Sequence, residues 1–146
     1  MIGMNVLFGQ QMSHSHIYGV VIAQVTNTKD PAGLGRVKVK FPWLSDRDET
    51  DWARVVTPMA GSQQGFYMLP TVGNEVLVAF DQGDPRFPYV LGSLWNGVDK
   101  PPLPNEDGKN NQQMIKSRSG HTIVLDDTEG EEKIIIQDKT QKNEIS

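Results

Sequence analysis

The chain has 146 residues and no cysteine, which excludes a disulfide scaffold, thiolate zinc sites, cysteine nucleophiles and thiol redox switching together. No run approaches the roughly 20 apolar residues of a membrane span. Residues 1–11 lack the basic region of a signal peptide, so synthesis in the cytoplasm without a leader is expected. Cationic excess is also missing: 14 Lys and Arg stand against 18 Asp and Glu, a net charge of −4, which argues against general nucleic-acid binding. Between residues 16 and 97 no segment has helical periodicity. With 37% hydrophobic and 22% charged residues, 14 Gly and 9 Pro, the chain reads as a folded, turn-rich protein, and its length suits a small domain plus an appendage.

Strand signals fill what remains. In residues 75–80, Val76, Val78 and Phe80 alternate with Leu77 and Ala79, the period of a strand buried on at least one face. Gln82-Gly83-Asp84-Pro85 supplies a turn, Tyr89, Val90 and Leu91 open the next strand, and Gly92 predicts a bulge or sharp bend. Upstream, residues 18–26 (YGVVIAQVT) read as a first strand, followed by a loop with Asp30-Pro31, Gly33 and Gly35. Residues 36–41 (RVKVKF) point Val37, Val39 and Phe41 one way and Arg36, Lys38 and Lys40 the other. Residues 52–57 form a third strand with Ala53, Val55 and Thr57 on one face, and residues 60–65 a Gly-rich connection. Five strands with Gly or Pro at nearly every joint predict an all-β fold, a five-stranded OB-fold-like barrel.

Residues 98–112 are a Pro- and Gly-rich linker by composition. After it, residues 113–117, 121–126 and 133–138 read as three short strands, with Ile123 and Leu125 on one face, Ile134 and Ile136 on another, and Val124 and Ile135 opposite. These strands carry more apolar surface than one meander can hide. They predict the start of an intertwined β-helix or β-prism stalk completed by identical copies, most simply as a homotrimer. The expected organisation is therefore a flexible arm at 1–16, a barrel at 17–97, the linker at 98–112 and the first stalk strands at 113–146. The stalk reads as cut short.

Chemistry-bearing groups are sparse. His14 and His16 sit two apart and would share a strand face, so a threefold assembly would gather six imidazoles for a metal, but without a carboxylate they are read as solvated. The loop from Asp46 opens like a calcium loop, yet its sixth position is Asp51 rather than Gly and its twelfth Thr57 rather than Glu,. Arg36, Lys38 and Lys40 with Trp43 and Trp52 are the candidates for a single-strand nucleic-acid face; the alternative is the solvated side of a half-buried strand. Asp46, Asp48, Glu49, Asp126, Asp127, Glu129 and Glu131 lie in loops or at strand ends, not as two carboxylates held roughly 5 to 9.5 Å apart. Ser119 and His121 flank a tight Gly turn without a supporting orienter. No catalytic, cofactor or metal site is assigned, and the chain is not expected to be an enzyme.

Three ordered blocks, GRVKVKFPWLSD at 35–46, DWARVVTPMAG at 51–61 and LPTVGNEVLVAFDQGDPRFPYVLGSLWNG at 69–97, resemble the central spike proteins of contractile injection machines. That family includes phage baseplate assembly protein V and the VgrG spikes of type VI secretion. The resemblance implies an OB-fold at the base of a trimeric, membrane-piercing β-helical needle in a phage tail, tailocin or type VI-like machine. Implied partners are further copies of the chain, baseplate hub and inner-tube proteins, a PAAR-type tip protein or effector cargo, and, transiently, the target membrane. It also implies assembly into a phage-tail-like particle delivered to the target envelope. The larger members' preceding domains and appended lysozyme or effector domains have no counterpart here, which puts the chain nearer the short phage-like spikes.

Overall fold

Strict alternation in Glu75–Phe80 places Val76, Val78 and Phe80 inside and leaves Glu75, Leu77 and Ala79 half-buried. The surrounding architecture is that of a computed structural model describing residues 16–45 and 47–146. It divides between Asp99 and Lys100 into two compact units.

In the first unit β1 is Val21–Asn27, β2 Lys38–Lys40, β3 Arg54–Val55, β4 Ala60–Gly61, β5 Gln64–Gly65, β6 Glu75–Phe80 and β7 Pro88–Ser93. Five of these form a sheet in the order β2-β1-β6-β7-β3. All pairings are antiparallel except β3 with β7. Val37 and Ala53 exchange both backbone hydrogen bonds, at 3.0 and 2.8 Å, which ties the start of the β2 strand to the start of β3 and curls the sheet on itself. Beside them, Thr50 donates its amide to the Val39 carbonyl, and its buried hydroxyl accepts the Val39 amide. The all-β expectation holds, and the curled five-stranded sheet is consistent with an OB-fold.

The interior is Ala23, Val25, Val37, Val39, Phe41, Ala53, Val76, Val78, Phe80 and Val90. Phe41 and Phe80 meet at 6.1 Å between ring centroids, the only two large rings among valines and alanines. The alternations in residues 36–41 and 75–80 are therefore the core.

Several boundaries differ from the expected ones. Strand β1 begins at Val21 rather than residue 18, because Ile17 donates its amide to the Gly83 carbonyl while Tyr18 stacks on His16 over Gly83. Strand β3 is only two residues long because the chain changes partners there: Ala53 bonds Val37, whereas Val56 donates to Val90. The bulge between β6 and β7 has its extra residue at Leu91, next to Gly92, since Leu77 pairs with Gly92 and Val78 with Val90. The connection at 60–65 contains a hairpin, β4 with β5, and Gly65 is required there because a Cβ would run into the Met59 carbonyl oxygen.

In the second unit β8 is Gln112–Lys116, β9 Thr122–Asp126, β10 Lys133–Gln137 and β11 Glu144–Ile145, an antiparallel meander in the order β11-β10-β9-β8. Within one chain this is a single sheet, not a wound helix.

Candidate assembly surfaces

Strand β2 and its flanks carry the cations considered for nucleic acid. The Arg36 guanidinium is taken by Asp30, Nη2 to Oδ1 at 2.8 Å and Nε to Oδ2 at 2.9 Å. The same carboxylate accepts the amides of Ala32, Leu34 and Arg36. Its side chain is 3% exposed, and the guanidinium with those amides holds its carboxyl well below the usual carboxylate range,. The pair closes the turn at 30–36 and spends the Arg36 charge inside the protein. Lys38 Nζ lies 5.5 Å from the Trp52 ring centroid and Arg36 Cζ 6.0 Å from it, cation–π distances. Arg36, Lys38 and Trp52 are thus brought together; Trp43 instead tilts against Phe41 at 5.9 Å. Two of the three cations are engaged by the protein's own groups, which is not a track of free charges along a phosphate backbone.

The other candidates are dispersed. His14 and Asp46 lie outside the described residues. His16 stacks on Tyr18, with centroids 5.5 Å apart, and among the described residues no three His, Asp or Glu side chains group as metal ligands. Asp48 accepts from Ser45 and Glu49 from Thr26. The turn after β8 is closed by Ser117, whose hydroxyl accepts the His121 amide and whose amide donates to the His121 carbonyl. His121 Nδ1 accepts from the Lys139 amide, so its free lone pair serves the sheet rather than Ser119.

Asp126 and Asp138 perform a matched task that the sequence reading missed. Oδ1 of each accepts both the amide and the hydroxyl of the threonine two residues on, Thr128 and Thr140. Oδ2 of each accepts a side-chain amide, from Gln112 and Asn143 respectively. The repeated Asp-x-Thr spelling at 126–128 and 138–140 was the available signal. These hydroxyl and amide donors pull both carboxyls down to about 2. Because the folded values lie below the unfolded one, the stabilisation is complete above about pH 4 and disappears as pH falls toward 2. The Thr128 and Thr140 amide resonances are expected to titrate together with midpoints near 2. Midpoints near 4 would mean that the carboxylates do not hold these turns.

The meander exposes one apolar face. Ile115 pairs with Ile123, Ile123 with Ile136 and Ile136 with Ile145, giving an isoleucine row across all four strands, and Leu125 pairs with Ile134 beside it. Ile123 and Leu125 therefore share their face with Ile134 and Ile136, which corrects the assignment of the two pairs to different faces. Direct partners in an antiparallel sheet point the same way. All six of these side chains are 42 to 71% exposed, while Val124 on the opposite face is buried.

A second apolar surface lies on the first unit. The registers put Asn27, Glu75 and Ser93 at one end of the curled sheet. There the segment 56–74, which contains no Asp, Glu, Lys or Arg, exposes Met59, Phe66, Tyr67, Met68 and Val72. Nothing in the periodicity of 56–74 indicated this surface; its lack of charge was the available signal.

Comparison with known proteins bears on these surfaces. Residues 21–95, from the first residue of β1 to just past β7, match the family described as the type VI secretion system/phage-baseplate injector OB domain. The chain is 33% identical over 111 residues to the type VI secretion system spike protein VgrG3 of Vibrio cholerae serotype O1, covering 70% of this chain and 11% of that protein. It is 34% identical over 110 residues to the actin cross-linking toxin VgrG1 of the same species, covering 70% and 10%. With the spike protein VgrG1a of Pseudomonas aeruginosa the identity is 31% over 128 residues, covering 77% and 20%. The chain thus spans about a tenth to a fifth of the length of these relatives. Since the family match is coextensive with the curled sheet and takes in more than half of the residues, the chain belongs to the type VI secretion system/phage-baseplate injector OB-domain family.

Proposed function

We propose that the chain is a structural spike component of a contractile injection machine, forming the base of a puncturing needle in which three copies wind their strands from 113 onward around one another. The observation that carries this reading is the isoleucine row Ile115, Ile123, Ile136 and Ile145. An apolar strip of that continuity in water is a surface made to be covered, and further copies of the same strip cover it at no cost in complementarity. The relatives named as spike proteins support the reading.

The arm expected at 1–16 lies, but for His16, outside the described residues; in this proposal 17–97 form the barrel, 98–112 the connector and 113–146 the first turns of the stalk. The barrel meets hub and inner-tube proteins, the stalk leads toward a PAAR-type tip or effector cargo, and the particle is delivered to the target envelope, whose membrane the needle meets transiently during puncture. The role is mechanical rather than catalytic. Among the described residues, each carboxyl with a displaced pKa, Asp30, Asp84, Asp126, Glu132 and Asp138, lies low, opposite to the raised carboxyl of a general acid.

Solution mass by light scattering tests the reading, on the whole chain and on a version ending at Gly97. A trimer for the whole chain with a lighter species for the shorter one is expected. A monomeric, well-folded whole chain at high concentration would sink the proposal.

A further inference from the structure

The segment 56–74 is an ordered structure, not a loose loop. Hairpin β4–β5 fixes its middle, the Phe66 amide donates to the Met59 carbonyl at 3.0 Å, and the Thr57 hydroxyl donates to the Phe66 carbonyl at 2.7 Å. At its end the Gly73 amide donates to the Val25 carbonyl, and Asn74 accepts the Thr71 amide. This framework holds Phe66, Tyr67 and Met68 outward, Tyr67 at 79% exposure. A rigid display of large apolar groups gives the isolated barrel nothing, and aromatic and Met enrichment with charge depletion is the composition of an interface core.

The missing charge identifies what covers it. A surface facing a different protein can match its charges with opposite ones. A surface that meets its own copies at a symmetry axis has less freedom, because a charge on the axis meets its own repeats and repels them. In a chain with 22% charged residues, residues 56–74 have none, and neither do residues 87–98, which run from β7 out through Trp95 at the same end of the sheet.

We infer that the uncharged segment 56–74, with its neighbour 87–98, is a self-contact, where the hairpin and its aromatic flank meet the same surface on neighbouring copies. The barrel then carries an assembly surface of its own, separate from the isoleucine face of the second unit. The inference rests on the spike reading for the presence of several copies, but not for which part of the barrel joins them.

The absence of native cysteine provides the test. Single variants Phe66→Cys, Tyr67→Cys and Met68→Cys of the whole chain, with Arg47→Cys as an exposed control away from the segment, are oxidised at low micromolar concentration and run on a denaturing gel. Covalent dimers for at least one of the three variants, and not for the control, are expected. Separately, Tyr67→Glu is expected to raise the dissociation constant of the assembly at least tenfold in sedimentation velocity, with the folded circular dichroism spectrum retained. An assembled chain whose three variants cross-link no better than the control, or whose Tyr67→Glu variant assembles as tightly as the parent, overturns the self-contact alone and leaves the surface to a different protein. A monomeric parent chain overturns both this inference and the spike reading.

Discussion

Glutamate in place of Ile123 is expected to convert the assembled chain into monomers while leaving the curled sheet of the first unit folded. Ile123 sits in the middle of the isoleucine row, paired with Ile115 on one side and Ile136 on the other. In a single chain it is 42% exposed, so a carboxylate there reaches water and the meander tolerates it. Once copies cover the row, each would bury an unpaired charge in apolar surroundings. Stranding a charge in this way costs about 3 kcal/mol or more per copy, roughly a hundredfold or more in the dissociation constant for each copy. Lys116→Glu, at the end of β8, is the control, because Lys116 pairs with Thr122 rather than within the row. Sedimentation equilibrium of both variants reads the result. Equal assembly by the two would mean that the isoleucine face is not the covered one.

Phe41→Ala is expected to carry the largest effect on the fold of the first unit. Phe41 is 1% exposed and packs on Phe80 and Trp43, and the valines and alanines around it are too short to fill the space it would leave. Phe-to-Ala truncation in a core costs about 3 to 5 kcal/mol, a large share of the roughly 5 to 15 kcal/mol that holds such a domain folded. In a unit of this size that lowers the melting temperature by roughly 15 to 30 °C. Denaturant unfolding followed by tryptophan fluorescence measures it, with Trp43 as a reporter beside the cavity. A loss below about 1 kcal/mol would mean that the two rings do not organise the core.

Period-two alternation was enough to read Val37, Val39 and Phe41, and Val76, Val78 and Phe80, as inward-facing, because in a half-buried strand each residue's face follows directly from its position. Partner choice is not encoded that way. Whether Ile123 and Ile136 share a face depends on the parity of the turn between their strands, and DDTEGEE does not fix that parity by composition. For the same reason the change of partner at Ala53 and Val56, which shortens β3, left no local mark. Asp30 was visible only as a turn residue, since its role depends on Arg36 returning to it across the loop. The exposed segment 56–74 escaped a reading that searched for charged and nucleophilic groups, because its distinguishing property is the lack of them.

The strand order of the curled sheet also determines how it bears load. Strands β1 and β7 both lie antiparallel to β6, so they run in the same direction, with Val21 at one end of the curled sheet and Ser93 at the other. A pull between these two points draws β1 and β7 in opposite directions along the strand axis, each sliding against β6. Their hydrogen bonds lie across that direction and must fail as a set, in shear, rather than open one pair at a time as in an unzipping hairpin. A load applied between Val21 and Ser93 is therefore carried across the sheet by β1, β6 and β7 together.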